Sequence, residues 1–364
     1  MLPLQSVWLK LLLAGLLAFV IALVTTPPVK RFAERIGAID KPDGSRHIHE
    51  HPIPRMGGLA IFLGFVISVL IFSEMNSQIM GMLIGAVIIA AMGAVDDIVD
   101  LSPWVKLGMQ VLAALAAIRS GIIIHVLSNI NIFSEETFVQ LGIFGHPLTL
   151  LWIVACTNAV NLIDGLDGLA AGVSAISSVS MLVVALFVSE PTVALLLAAL
   201  AGACLGFLPY NFNPAKIFMG DVGSQFLGYV LATVSVMGLF KFHAIITFLI
   251  PVLALSVPLA DTSFAFFRRI ARGQSPFHAD KGHLHHRLLA LGLSQKQTVS
   301  VLYAVSASLG LFGVLLAGPH TAVRIVCLAL VFVISLSVWL LIFRRHGAHK
   351  ETEQTSVPPS SDQS

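Results

Sequence analysis

Eleven runs of roughly 17 to 25 mostly apolar residues follow one another along the 364-residue chain, each long enough to cross a bilayer as a helix. They fall at about 7–26, 57–73, 79–95, 105–124, 147–163, 168–188, 191–209, 222–240, 243–263, 298–317 and 321–343. Apolar residues make up 57% of the chain and charged ones 11%, whereas a soluble domain carries roughly 45–50% and ~25%. The pattern predicts an all-α polytopic membrane protein with about eleven transmembrane helices. The first run is too long for a secretory signal, no small-x-small cleavage pattern follows it, and its basic residues come after it. It is expected to stay as a helix.

The basic residues fall on alternate connections. Lys30, Arg31, Arg35, Lys41, Arg46 and Arg55 follow run one, Lys106 follows run three and Lys216 run seven. Arg268, Arg269, Arg272, Lys281, Arg287 and Lys296 follow run nine, and Arg344, Arg345 and Lys350 run eleven. That set holds 17 of the 21 Lys and Arg, while Glu74, Glu135, Glu136 and Glu190 lie on the other side. The positive-inside rule then puts the N-terminus outside and the C-terminus in the cytoplasm. Arg119, inside the fourth run, either snorkels to the outer interface or marks a span that ends early.

Residues 1–345 read as one transmembrane unit with cytoplasmic loops. The stretch 346–364, with Pro358, Pro359 and four serines, reads as a disordered cytoplasmic tail. A net charge of +2 gives no nucleic-acid surface. Cys156, Cys204 and Cys327 sit in apolar runs without a CxxC pair, as buried small hydrophobes do.

Acids and histidines crowd into the cytoplasmic connections at the ends of runs. Transporters instead hold ionisable groups near the midplane, so a surface site is expected. In DDIVD, a continuing helix would put Asp96, Asp97 and Asp100 on one face. Three acids at a helix C-terminus are electrostatically unfavourable, so a cation should compensate them. In NAVNLIDGLDGLA, Asp167 could simply cap the next helix, but a cap leaves Asn158, Asn161 and Asp164 unexplained.

YNFNPAKIFMGDVGS combines Asn211, Phe218 and Asp221 with two glycines at a helix start, a natural seat for an anion. Asp221 could also be only an N-cap there. SPFHADKGHLHHRLL gathers His278, Asp280, His283, His285, His286 and Arg287. Without a thiolate pair, this group suits phosphate better than zinc. Carboxylates and carbonyls select hard ions such as Mg²⁺, and neither a P-loop nor a Rossmann fingerprint is present. The residues point to metal-assisted phosphoryl chemistry on a substrate shared between cytosol and lipid.

DDIVD, NAVNLIDGLDGLA, NFNPAKIFMGDVGS and HADKGHLHHRL, in this order on these connections, resemble the polyprenyl-phosphate N-acetylhexosamine-1-phosphate transferases. The branch that transfers phospho-muramoyl-pentapeptide usually ends its DDxxK string in Lys, where this chain has Asp100. The first loop, with Asp40, Pro42, Arg46, His47, His49, Pro52 and PIPRMGG ending at Gly58, resembles the WecA and TagO type branch.

The resemblance implies transfer of N-acetylglucosamine 1-phosphate from UDP-GlcNAc to undecaprenyl phosphate, with release of UMP, at the cytoplasmic face of a bacterial inner membrane. The product would initiate a cell-envelope polysaccharide. Another UDP-N-acetylhexosamine is the alternative donor, and a transporter the distant rival. The resemblance also implies Mg²⁺, with Mn²⁺ as an alternative, on Asp221 and Asn161. Asp164, Asp167, Asn211 and Phe218 then form the uridine side, Phe218 stacking on uracil. Asp96 and Asp97 stand beside the lipid phosphate, with Asp164 completing the catalytic acids. One of the pair either deprotonates that phosphate or acts as a nucleophile. Asp280, His283, His285, His286 and Arg287 would grip the diphosphate, joined by Arg46 and Arg55.

Overall fold

The computed structural model describes residues 4–40, 52–128, 138–238, 252–271, 284–318 and 321–337. The main elements are α1 (Leu4–Ile36), α2 (Gly58–Phe72), α3 (Ser77–Val99), α4 (Pro103–Arg119), α5 (Gly145–Ile163), α6 (Leu169–Phe187) and α7 (Pro191–Asn211). They continue with α8 (Gly220–Gly238), α9 (Ser256–Ala271), α10 (Leu284–Ala290), α11 (Gln295–Ala317) and α12 (Thr321–Ser337). Among the described residues six helices are long and apolar enough to cross a membrane, and the chain is a multi-pass, predominantly helical membrane protein. The helical class stands, with one correction in the connections. Ile39–Asp40 (β1) pairs antiparallel with Ile53–Pro54 (β2), and Val126–Ser128 (β3) with Phe138–Gln140 (β4).

α1 runs ten residues past its expected end at position 26, straight through Pro27 and Pro28. Two prolines normally cost a helix a few kcal/mol. Here α1 lies along α7 and α2, burying Leu11, Ala14, Ala18, Ala22 and Val29, and that packing outweighs the local penalty. α4 corrects the fourth run in the other direction, because it stops at Arg119 rather than near 124. Gly121 turns the chain there with φ +93°, and Arg119 is an exposed cation in the last turn. The helix ends early. The calls for 243–251 and the tail 346–364 lie outside the described residues.

The centre of the bundle is α8, buried on every side from Val222 to Gly238. A helix hidden all round needs small residues where neighbours approach, and α8 has Gly223, Ser224, Gly228, Thr233 and Ser235. α3 and α5 pack most closely on it, with α2 beside them. A Cβ at Gly93 of α3 would sit 2.5 Å from the backbone nitrogen of Val222. Only glycine lets α3 reach the start of α8, and this contact sets the geometry of the site.

Candidate active site

The acids of DDIVD divide at the end of α3. Asp96 and Asp97 are buried, but the helix ends at Val99 and Asp100 adopts the left-handed conformation with φ +53°. Asp is among the few non-glycine residues that tolerate this. Asp100 is exposed and so leaves the group that an unbroken helix would have kept together. The compensating cation is Lys106, in the first turn of α4. Its Nζ donates to Asp96 Oδ2 at 2.6 Å and to Asp221 Oδ2 at 3.0 Å, while the Leu101 amide donates to Asp96 Oδ1 at 2.8 Å. One ammonium thus joins the acids of α3 and α8.

Asp97 works differently. Its Oδ1 accepts the backbone N–H of Asp221 at 3.0 Å, and its Oδ2 that of Val222 at 3.4 Å. A carboxylate of α3 thus caps α8, where unpaired amides and the helix dipole favour negative charge. Gly220 makes this possible with φ +71°, since a Cβ there would lie 2.3 Å from the Asp97 carboxylate. Asp221, released from capping, projects its own carboxylate toward Lys106.

Behind Asp221 runs a chain of amides. Gln225 Nε2 donates to Asp221 Oδ2 at 2.6 Å, and Gln110 Nε2 donates to Gln225 Oε1 at 2.9 Å. Gln110 and Asn158 exchange hydrogen bonds at 2.7 and 3.2 Å. Gln110 and Gln225 are buried, where unpaired amides would be costly. The chain satisfies them and fixes one oxygen of Asp221. Asn161 on α5 accepts from Ser224 Oγ at 2.7 Å, which brings it to the same end of α8.

Asp164 follows α5, its N–H bonded to the Asn161 carbonyl. Burial pushes its carboxyl up to about 8; the negative charges of Asp221, Asp97 and Asp167 add to this, and the Arg55 guanidinium opposes it. Asp164 therefore shares its surroundings with the acids of two other segments, α3 and α8, besides its loop neighbour Asp167. Asp167 does not cap α6, whose N-cap is Gly168 without a side-chain bond. Asp167 Oδ2 instead accepts from Asn213 Nδ2 at 2.9 Å and the Ala215 amide at 3.0 Å. Buried Asn211 completes the tie, accepting from the Gly168 amide at 3.1 Å and donating to the Ile217 carbonyl at 3.0 Å. The two loops are stitched together side chain to backbone.

The strand pair at the first loop delivers Arg55, ion-paired with buried Asp40. Phe218 is threaded into the same region, its N–H donating to the Pro54 carbonyl at 2.8 Å and its carbonyl accepting from Gly57 at 2.9 Å. Arg46, Asp280 and His283 lie outside the described residues. His285, His286 and Arg287 belong to α10, on which Arg287 is exposed.

A family model described as Glycosyl transferase family 4 matches residues 79–239, a stretch holding Asp96, Asp97, Lys106, Asp164, Asp167 and Asp221. Over 300 residues the chain is 40% identical to a Bacillus subtilis (strain 168) protein named "Probable undecaprenyl-phosphate N-acetylglucosaminyl 1-phosphate transferase", with 82% of each chain covered. The chain belongs to the polyprenyl-phosphate hexosamine-1-phosphate transferases. This transferase is also 36% identical over 322 residues to the decaprenyl-phosphate N-acetylglucosaminephosphotransferase of Mycobacterium tuberculosis (strain ATCC 25618 / H37Rv), covering 81% of this chain and 79% of the relative. It is 33% identical over 322 residues to a Staphylococcus aureus (strain MW2) phospho-N-acetylmuramoyl-pentapeptide-transferase, covering 83% and 96%.

Sequence reading of the transferase placed Lys106 only among the basic residues that set topology, and passed over Gln110, Ser224, Gln225 and Asn213. The demand for a cation beside three acids was visible, but its source was not. Lys106 stands ten residues beyond Asp96, across a turn. Its closeness in space depends on α4 folding back along α3, which no local pattern encodes.

Proposed function

We propose that this protein transfers N-acetylglucosamine 1-phosphate from UDP-GlcNAc to undecaprenyl phosphate, releasing UMP and forming the polyprenyl-diphosphate sugar that starts an envelope polysaccharide. In this reading the chain crosses a bacterial cytoplasmic membrane eleven times with its N-terminus outside, and the site faces the cytoplasm. The observation that carries the reading is the convergence of Asp96, Asp97, Asp164 and Asp221 from three connections at the start of α8, with Lys106 bridging Asp96 and Asp221. The acceptor named for the Bacillus subtilis relative supports the lipid, and the sugar in its name the donor.

The reaction joins two anions, and the donor set suits a hard cation. Asp221 and Asn161 present oxygen at the start of α8. Mg²⁺ typically takes one or two carboxylates and completes its shell with water and phosphate oxygens. Among the described residues no three His, Cys, Asp or Glu side chains could hold a metal by themselves, so water and the diphosphate would supply the remaining ligands. Bound there, Mg²⁺ (or Mn²⁺) would offset the charge developing on the departing UMP.

The remaining roles belong to side chains. Asp96 takes the last proton from the acceptor phosphate, so that this phosphate attacks directly. Lys106, freed from Asp96 and Asp221 as substrates enter, turns to a phosphate oxygen. Asp97 stands with Asp96 beside the acceptor phosphate, and its carboxylate also holds the start of α8. Asp164, Asp167, Asn211 and Phe218 form the uridine side, and Arg55, Arg46, Asp280, His283, His285, His286 and Arg287 the phosphate-gripping rim. The test is incubation of purified protein with undecaprenyl phosphate, Mg²⁺ and a panel of UDP-N-acetylhexosamines, following UMP. UMP should appear fastest with UDP-GlcNAc. Faster release with another sugar would overturn the donor assignment, and no release with any sugar would overturn the reaction.

A further inference from the structure

Where α1 emerges past its apolar run, it and the end of α7 enclose a groove of about 350 Å³. Pro27 and Ile217 line its wall, and Lys30, Arg31 and Lys216 set three cations against a single acid, Glu34. Glu34 lies 3.9 Å from Lys30 with both side chains exposed, and such surface pairs contribute little. The groove therefore keeps a surplus of positive charge. None of its residues belongs to α3, α4, α5 or α8, which carry the catalytic acids.

The height of the groove follows from helix geometry. Residues 7–26 rise about 30 Å at ~1.5 Å per residue, which is the thickness of the hydrocarbon core. Pro27 to Arg31 then stand at headgroup level. Leading up to them, Leu12, Leu16, Val20 and Val24 are exposed at four-residue spacing and so form one stripe. Arg31 lies seven residues, two turns, beyond Val24 on that same face. From Leu12 to Val24 the stripe is about 18 Å long, close to the depth of one leaflet.

We propose that the α1–α7 groove binds the phosphate headgroup of an acidic phospholipid, with one acyl chain lying along the Leu12–Val24 stripe. Cations and stripe together select the ligand: a soluble phosphate would use only the first, a neutral lipid only the second. The bound lipid abuts the substrate loops from behind, because the Ile217 carbonyl at the groove accepts from Asn211, which also holds Gly168.

The experiment is native mass spectrometry of the full chain in detergent, offered phosphatidylglycerol and phosphatidylcholine of identical acyl chains. Wild-type protein should retain phosphatidylglycerol preferentially. In the Arg31→Gln/Lys216→Gln variant, each lost cation should lower that preference about fivefold, the equivalent of ~1 kcal/mol per charge. Lys30→Gln/Lys216→Gln supplies a second measurement should the first pair lower the melting temperature. Equal retention of the two lipids, or an unchanged preference in both variants, would overturn the proposal. Displacement by millimolar glycerol phosphate would identify a soluble-phosphate site. Displacement by undecaprenyl phosphate as readily as by phosphatidylglycerol would assign the groove to the acceptor. Either displacement also overturns the assignment to a phospholipid.

Discussion

Two charged regions lie on either side of the 212–219 loop, and they are built on opposite plans. At the start of α8, Asp96, Asp97 and Asp221 are all engaged, by Lys106, Gln225 and backbone amides. In the α1–α7 groove, three cations share one exposed acid across a surface pair. The first region has every carboxylate bonded and its geometry locked from inside the protein. The second leaves its charge for whatever comes from the membrane. The difference separates a site that must be exact before substrates arrive from one that only has to hold an anion.

The comparison is tested hardest at the acids themselves. Asp221→Asn, Asp97→Asn and Asp96→Asn should each lower UMP release by about 10²–10⁴-fold, whereas Arg31→Gln/Lys216→Gln should leave it within a few-fold. Near wild-type release from all three acid variants would dissolve the distinction. Lys106→Met comes next. It leaves Asp96 and Asp221 facing each other, so metal-free protein should lose about 1.5–3 kcal/mol of stability, the worth of hydrogen bonds to charged groups. Added Mg²⁺ should restore part of the melting temperature, and a metal-insensitive loss would argue against a cation seat between those acids.

Gln225→Leu tests whether the locked geometry matters beyond its charges. Freeing one oxygen of Asp221 should raise the Mg²⁺ concentration needed for half-maximal activity about tenfold, as lost outer-shell partners typically do, and weaken direct Mn²⁺ binding read by EPR in parallel. A fall in maximal rate with unchanged metal affinity would refute this. The smallest effect is a pH slope. The Asp164 carboxyl is raised to about 8, so the folded state keeps a proton that the unfolded chain releases near the ordinary carboxylate pKa of about 4. Its contribution is fully present below the lower value and is lost as pH rises through the upper one. Metal-free wild type should therefore lose melting temperature over that window relative to Asp164→Asn; parallel profiles would contradict the shift.

Much of this molecule was legible as pattern. The apolar runs announced a helical membrane protein, and the acids at their ends marked where chemistry would gather. What stayed hidden depended on geometry between segments. Asp100 looked like the third member of an acidic face until a left-handed residue ended α3. A cap was one of two readings for Asp167, and its carboxylate instead reaches another loop. The same alternative stood for Asp221, whereas the capping carboxylate is supplied by Asp97 from a different helix. The first apolar run ended near 26, yet α1 continues to Ile36 through Pro27 and Pro28, packed against α7 and α2. Composition and period report what a segment needs, but not which distant segment provides it.

The lysine bridge has a kinetic side. A cluster of bare carboxylates would project a negative field into the water and slow the approach of a nucleotide diphosphate, most severely at low ionic strength. With the Lys106 ammonium seated between Asp96 and Asp221, the empty enzyme carries its own counterion. An incoming anion therefore meets a weaker negative field than the carboxylates alone would project, and repulsion slows its encounter less.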